Sequence, residues 1–511
     1  MISRRLMLST LIGSMVVGAT PLMANAPKSS MRPAPRPDRN APQAASSAPS
    51  PVTAEPKTAE PKTIEELLAQ AKLGAAISSL VVLDANSGQI LESHEPDAGL
   101  PPASVAKSVT SLFALDRLGP TFRYRTALLV TGPIDAGMVQ GDLILCGDGD
   151  PTLQTDQLGD LVAAMAARGI RGITGSYLVW GGSLPNLREI SDEQPIQVGY
   201  NPAISGLNLN YNRVHFEWKR KAAGAWTVTM DARGARFVPQ VKSIGMKVVD
   251  RSAPIFTYNE EPLTEDWTVA AGALGKGGSR WLPVRQPVRY AAEVFRTLAA
   301  SQGISLPEAQ PAKAVPAGQE VAAVESAPLT EILRDMLRYS TNLTAEAVGL
   351  RASGALTLEA SGKAMTDWLR SRFGVSSEWH DHSGLSSRSR VKARDMAKIL
   401  LEARQAGLGL EPILRNQGSR DAQGKEIPDS PIRIAAKTGT LNFVSGLAGY
   451  VLPPQGRALV FAIASADTAK RDLLSMDERE SPPGGDAWLG RARNLQQQLL
   501  RRWEAVYLQQ S

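Results

Sequence analysis

With 511 residues, 43% of them hydrophobic, the chain is long enough for a large core and two or more domains. Its formal charge of +6 and pI near 9.3 come from 56 basic and 50 acidic residues, interspersed without a long basic run, which excludes a nucleic-acid binder built on a basic patch. Cys146 is the only cysteine, so an intramolecular disulfide is excluded, and its place after Leu143-Ile144-Leu145 reads as a packed side chain rather than a reactive thiol.

Residues 1–26 read as an export signal: Arg4 and Arg5, an apolar run from Leu6 to Ala19, then the small-x-small site Ala24-Asn25-Ala26. That run is too short to span a bilayer, and no cysteine follows it to carry a lipid, so no stable membrane anchor is expected. The residues after Ser3-Arg4-Arg5 fit the twin-arginine route poorly, which favours ordinary secretion. Residues 27–62 hold nine prolines among 36 residues and a doubled Ala-Glu-Pro-Lys-Thr unit, a disordered linker by composition.

Order begins at Thr63, where Thr63 and Glu66 form a capping box for a short helix. Ile77–Asp84 reads as a strand, Asn86-Ser87-Gly88 as a turn and Gln89–Glu92 as the returning strand. Pro101 and Pro102 then prepare a helix in which Val105, Val109 and Leu112 recur until Gly119-Pro120 stops it. From 125 to 305 the texture changes to short strands: Tyr124–Thr131, Asp142–Leu145, Thr174–Trp180, Leu207–Tyr211, Val214–Trp218 and Trp226–Met230, closed by a helix over Pro287–Gln302. Gly147-Asp148-Gly149-Asp150-Pro151 lacks EF-hand ligand spacing and reads as a tight turn. Helices follow over Leu329–Arg338, Leu343–Arg351, Thr357–Phe373 and Ala393–Gln405, then strands over Ile432–Ala436, Gly446–Leu452 and Arg457–Ser465. A last helix, Leu489–Leu508, carries Leu499, Leu500, Trp503 and Tyr507 on one face, to dock on the sheet.

Three short motifs stand in order on this framework: Ser104-Val-Ala-Lys107 in a first helical turn, Ser340-Thr341-Asn342 between two helices, and Lys437-Thr438-Gly439-Thr440 continuing an apolar strand. Residues three apart share a helical face, so the Lys107 amine can lie over the Ser104 hydroxyl, a nucleophile beside a base. Ser389-Arg-Val-Lys392 has the same spacing but no Ser-x-Asn beyond it, and reads as the approach to a helix. Lysine with its ordinary pKa near 10.4 is neutral in only about one molecule in 2,500 at pH 7. Lys107 can act as a base only if burial and a second cation, Lys437, lower its pKa, at a cost of about 4 kcal/mol to bring it near neutrality. Lys437 and Thr438 can bind a terminal carboxylate, and Gly439 leaves room for a peptide alongside the strand.

Ser-x-x-K, Ser-x-Asn and Lys-Thr-Gly are together the motif set of serine β-lactamases and penicillin-binding proteins. The 236 residues from Ser104 to Ser340, against 97 from Ser340 to Lys437, leave a large insertion between the first two motifs. In this the chain resembles the type-4 penicillin-binding proteins, exported D-alanyl-D-alanine carboxypeptidase/endopeptidases of peptidase family S13. Gly147–Leu153, Leu207–Tyr211 and Asp381-His382-Ser383-Gly384-Leu385-Ser386 also resemble family segments, with His382 in place of a usual glycine and Thr341 in place of an aspartate.

The resemblance implies a multidomain α/β protein: a β-lactamase/transpeptidase-like domain in two pieces, 63–124 and 306–511, around a mostly β insertion over 125–305. It further implies that Ser340 relays a proton to the leaving amine, that Asn342 bonds the substrate peptide, and that the Ser104 and Thr440 amides form the oxyanion hole. The expected substrates are peptidoglycan muropeptides, with β-lactams as covalent inhibitors. No cofactor is implied, and His380-Asp381-His382 is assigned no metal because the chemistry needs none. A β-lactamase or a non-catalytic scaffold are the alternatives that the motifs leave open, as they do carboxypeptidase against endopeptidase action and the oligomeric state.

Overall fold

The computed structural model describes residues 61–508 apart from 223 and 422, so the export signal and nearly all of the linker lie outside the described residues. Ile77–Asp84 (β1) is buried along almost its whole length because alternate side chains enter two different cores. Leu80 and Val82 face one with Trp488, Leu495 and Trp503, while Val81 and Leu83 face the other with Val109, Leu112 and Met396. A strand covered on both faces reads as a continuous apolar run, which is why its sequence hides the two-residue period.

β1 pairs with Ile90–His94 (β2), and on its other side the chain's late strands complete an antiparallel sheet: Arg433–Leu441 (β3), Val444–Leu452 (β4) and Leu459–Ala466 (β5), in the order β3-β4-β5-β1-β2. Ile77 sits opposite Ala466, and Lys437 opposite Ala448. Asp84 closes the first hairpin by accepting the Asn86 and Ser87 amides at 2.9 Å. The helices Ile64–Ala71 and Gly485–Tyr507 cover one face; Ala106–Leu118, Leu329–Tyr339, Asn342–Ser353 and Ala393–Gln405 lie towards the other. The capping box is present in both directions, Glu66 N–H to Thr63 Oγ1 at 3.2 Å and Thr63 N–H to Glu66 Oε2 at 2.9 Å.

Between the two pieces the described residues form a five-stranded sheet and three three-stranded sheets, with a core of their own around Leu128, Leu145, Phe216, Trp267 and Phe295. The sequence puts the return to the first piece at 306, but Ala309–Pro311 and Gln319–Glu325 are strands of that five-stranded sheet, the latter antiparallel to Arg125–Val130. Their sparse apolar content concealed them, and the pairing carries the inserted region to Glu325. Leu207–Tyr211, read as a strand, is instead a turn: Asn210, Tyr211 and Asn212 all have φ between +50° and +58°. Asparagine tolerates that region, and the asparagines also bind the turn together. Asn212 Oδ1 accepts Leu209 N–H at 3.0 Å, and Asn212 Nδ2 donates to Asn208 Oδ1 at 2.7 Å.

Candidate active site

Pro101 and Pro102 lead into a 3-10 turn, Ala103–Val105, that runs straight into the helix Ala106–Leu118 and so sets Ser104 at its mouth. The turn is wedged between a loop and the sheet. Ala103 has φ +47°, and a Cβ on Gly384 (φ +77°) would stand 1.8 Å from the Ala103 carbonyl oxygen, so no side chain fits there. A Cβ on Gly439 would meet Pro102 O at 2.9 Å and Ala103 Cβ at 3.1 Å. The absent side chain of Gly439, read from sequence as room for a peptide, therefore serves first to seat the Ala103–Val105 turn on β3.

Lys107 is fully buried, and its Nζ has three partners: Ser104 Oγ at 3.0 Å, Asn342 Oδ1 at 2.8 Å and the Ser383 carbonyl oxygen at 2.7 Å. The last two can only accept, so an uncharged amine spends both N–H groups on them and turns its lone pair to the Ser104 hydroxyl. Asn342 is oriented in turn by donating through Nδ2 to the Tyr200 carbonyl oxygen of the inserted region at 3.0 Å. Ser340, left-handed at φ +59° where one helix ends, meets Lys437 Nζ at 3.2 Å; Lys437 also donates to the Thr438 carbonyl oxygen at 2.7 Å. All three motifs thus converge.

Burial pushes the Lys107 amine down to about 8, against an upward pull from Glu346 and Asp381. The sequence names burial and Lys437 as a second cation; burial leads for both lysines, Lys437 is not among the causes acting on Lys107, and Lys437 itself is held well below the ordinary ammonium range, by burial first and then by Lys107 and Arg415. The acidic pair beneath Lys107 is invisible in the motifs. Burial, then Asp381, pushes Glu346 up to about 8, and burial raises Asp381 as well. Glu346 accepts the Ser383 amide at 2.8 Å and the His382 amide at 3.1 Å, while Asp381 accepts Leu385 and Ser386 at 2.6 and 2.8 Å. These bonds fix the loop whose Ser383 carbonyl holds the lysine. His382 bonds Ser361 Oγ through Nε2 at 2.6 Å, and its ring stacks on Phe113. Spacing could have drawn attention to Glu346, four residues past Asn342 on the same helix.

β3 is the sheet's edge. Ala436 turns its amide outward to Arg415 O at 3.1 Å and its carbonyl to Gln417 Nε2 at 2.7 Å. By the two-residue period Thr438 and Thr440 face the same way, beyond the reach of that covering segment. Thr440 lines a cleft with Ser104, Ser340 and Asn342, whose other wall comes from Tyr200, Tyr211 and Arg213. Thr438 is exposed.

A serine–lysine pair at a helix start, beside the edge of an antiparallel sheet sandwiched by helices, is the arrangement of the serine β-lactamase/transpeptidase class of α/β proteins. The D-Ala-D-Ala carboxypeptidase 3 (S13) family matches residues 61–481, and the chain belongs to that family. It is a serine-type D-Ala-D-Ala carboxypeptidase, a hydrolase of peptidoglycan peptides. A D-alanyl-D-alanine carboxypeptidase of Actinomadura sp. (strain R39) is 27% identical over 433 residues, 78% of this chain and 79% of that protein. The carboxypeptidase DacB of Haemophilus influenzae is 25% identical over 422 residues, 77% of this chain and 86% of its own. The crystal structure of penicillin binding protein 4 (dacB) from H. influenzae shares the fold, with a TM-score of 0.68 at 22% identity, over 86% of this chain and 99% of that one.

Proposed function

We propose that Ser104 is the nucleophile of this carboxypeptidase and Lys107 its general base, with Ser340, Asn342, Lys437, Thr438, Gly439 and Thr440 completing the site. The observation that carries this reading is the Lys107 amine held by two carbonyl acceptors with Ser104 Oγ as its third neighbour. Ser104 Oγ attacks the carbonyl carbon of the bond before the terminal D-alanine and passes its proton to Lys107. The oxyanion meets the Ser104 and Thr440 amides, each typically worth about 3–4 kcal/mol in such a site. The C–N bond then breaks, the leaving amine takes the proton by way of Ser340, and water hydrolyses the ester to release Ser104.

The terminal carboxylate binds at Lys437 and Thr438, where a cation and a hydroxyl lie beside an open strand edge. An arriving anion favours the ammonium form of Lys437, and the repulsion between two buried cations then favours neutral Lys107. Substrate binding in this way readies the base. β-Lactams present a strained amide and a carboxylate to the same groups and acylate Ser104.

The chain acts after export to the bacterial periplasm under the signal of residues 1–26. No helix of the described residues is long and apolar enough to cross a membrane. The test is mass spectrometry of the protein treated with penicillin. A lasting adduct on Ser104, with muropeptide cleavage in its absence, is expected; an adduct elsewhere, or none on folded protein, overturns the assignment. Rapid loss of the adduct with drug hydrolysis would mark a β-lactamase.

A further inference from the structure

Away from the cleft, the inserted region carries a basic tip that the proposed reaction does not use. The strand Arg213–Arg220 begins at the cleft wall, and its eight residues, at about 3.3 Å each, carry the chain roughly 23 Å outward. Trp226–Asp231 returns beside it with Trp226 opposite Arg220, and Gly277–Pro283 flanks its other side with Gly277 opposite Lys219. The Arg220 amide donates to the Lys276 carbonyl oxygen at 3.2 Å. Strand pairing thus gathers, at one end of this sheet, four cations that the sequence keeps apart: Lys219, Arg220, Lys221 and Lys276.

All four are exposed. Among the described residues the only carboxylate paired with any of them is Glu217, which lies 3.2 Å from Lys219 and is shared with Arg233. No aspartate or glutamate occurs from 218 to 230 or from 267 to 292, so the positive potential of the tip is left open to solvent. Beside Lys219 the flanking strand supplies only Gly277 and Gly278, and the turn after Lys221 carries the small residues Ala222, Gly224 and Ala225, so no bulky neighbour of the turn shields the charges. Trp226 is half-buried there, with the Arg220 guanidinium 5.6 Å from its ring centroid.

Such a layout does not suit a small anion, which needs donors that converge on it. These cations stand instead on strand ends and turns along the rim of a sheet, and none of them lines the cleft that holds Ser104. A surface of many spaced anions matches the layout. Each lysine or arginine close to anionic lipid headgroups raises the partition coefficient about fivefold, and an indole ring settles at headgroup level with its apolar face inward. We propose that this tip docks the exported protein reversibly on an anionic phospholipid surface. Docking of this kind needs no spanning helix, and it holds the cleft up to roughly 23 Å from the headgroups, within reach of peptidoglycan peptides above them.

The test is sedimentation of the exported form, free of residues 1–26, with vesicles of phosphatidylcholine alone or with about one-third phosphatidylglycerol. Wild type is expected to partition onto the anionic vesicles about 100-fold better than the triple variant Lys219→Gln, Lys221→Gln, Lys276→Gln, with the difference shrinking as salt rises. A control triple, Lys363→Gln, Arg370→Gln, Lys398→Gln, removes the same net charge from exposed sites on the catalytic domain and should stay within about twofold of wild type. If the tip triple does not fold, Lys221→Gln and Lys276→Gln are measured singly, each expected to bind about fivefold more weakly. Equal partition of wild type onto neutral and anionic vesicles, binding retained by the tip variants, or an equal loss in the control overturns the proposal. So does binding to isolated peptidoglycan sacculi that the tip triple loses while vesicles bind neither protein, since the tip then serves another partner. None of these readouts depends on catalysis, so the result stands apart from the role given to Ser104.

Discussion

The two walls of the cleft treat buried charge in opposite ways. On the sheet side, Lys107 has three partners, Lys437 two, and the carboxylates of Glu346 and Asp381 are filled by backbone amides. On the inserted side, Arg213 is just as deeply buried and has none among the described residues. Saturated groups cannot reorganise cheaply, so the first wall keeps a fixed geometry for proton transfer. The Arg213 guanidinium is held instead beside the Tyr211 and Trp281 rings, at 5.1 and 5.4 Å from their centroids.

Four substitutions probe the saturated wall. Ser104→Ala should reduce peptide hydrolysis by about 10⁴-fold or more, to a level set by binding alone, and abolish penicillin labelling in the mass spectrum. Gly384→Ala comes next. It asks a Cβ to share space with the Ala103 carbonyl at a left-handed position, so we expect a loss of more than about 2 kcal/mol in denaturant unfolding, together with a turn that no longer presents Ser104. Should Gly384→Ala retain full stability and activity, the wall is softer than described.

Lys437→Ala should lower kcat/KM for D-Ala-D-Ala peptides about 10- to 100-fold, the usual weight of a charge-assisted hydrogen bond, in steady-state assays. The smallest effect is expected from Glu346→Gln. With Lys107 as the proposed base, acting as the neutral amine, penicillin acylation should rise with pH through about 8. Glu346, itself raised to about 8, is only partly charged over that limb and pulls the value up; removing its charge should move the acid limb of the pH profile to lower pH by no more than about half a unit. A limb that stays in place would separate the buried carboxylates from the base.

Much of this was legible in sequence because acyl transfer needs a few residue types at spacings that secondary structure fixes. A helical turn brings Ser104 and Lys107 together, and a strand presents Lys437 and Thr440, whatever the rest of the chain does. The sheet's strands were legible too, since Ile77–Asp84 carries the continuous apolar run Leu80–Leu83. The Leu207–Tyr211 turn was not, because alternating leucine and asparagine mimics a half-buried strand and only tertiary hydrogen bonds reveal the left-handed backbone. Nor was the reach of the insertion to Glu325, where pairing with Arg125–Val130, rather than composition, makes Gln319–Glu325 a strand. Arg213 carries no local signal, and Glu346 only its place one turn past Asn342 on the same helix: what marks them is burial with, or without, a partner.

The uncovered stretch of β3 also bears on how long a guest stays. An incoming strand finds the Thr438 amide and the amide and carbonyl of Thr440, since the Thr438 carbonyl already accepts from Lys437. At about 0.5–1.5 kcal/mol net for each of these three bonds, backbone pairing contributes roughly 1.5–4.5 kcal/mol. So short a seam holds a cleaved chain only loosely once its terminal carboxylate has gone, and the protein is built for turnover rather than retention.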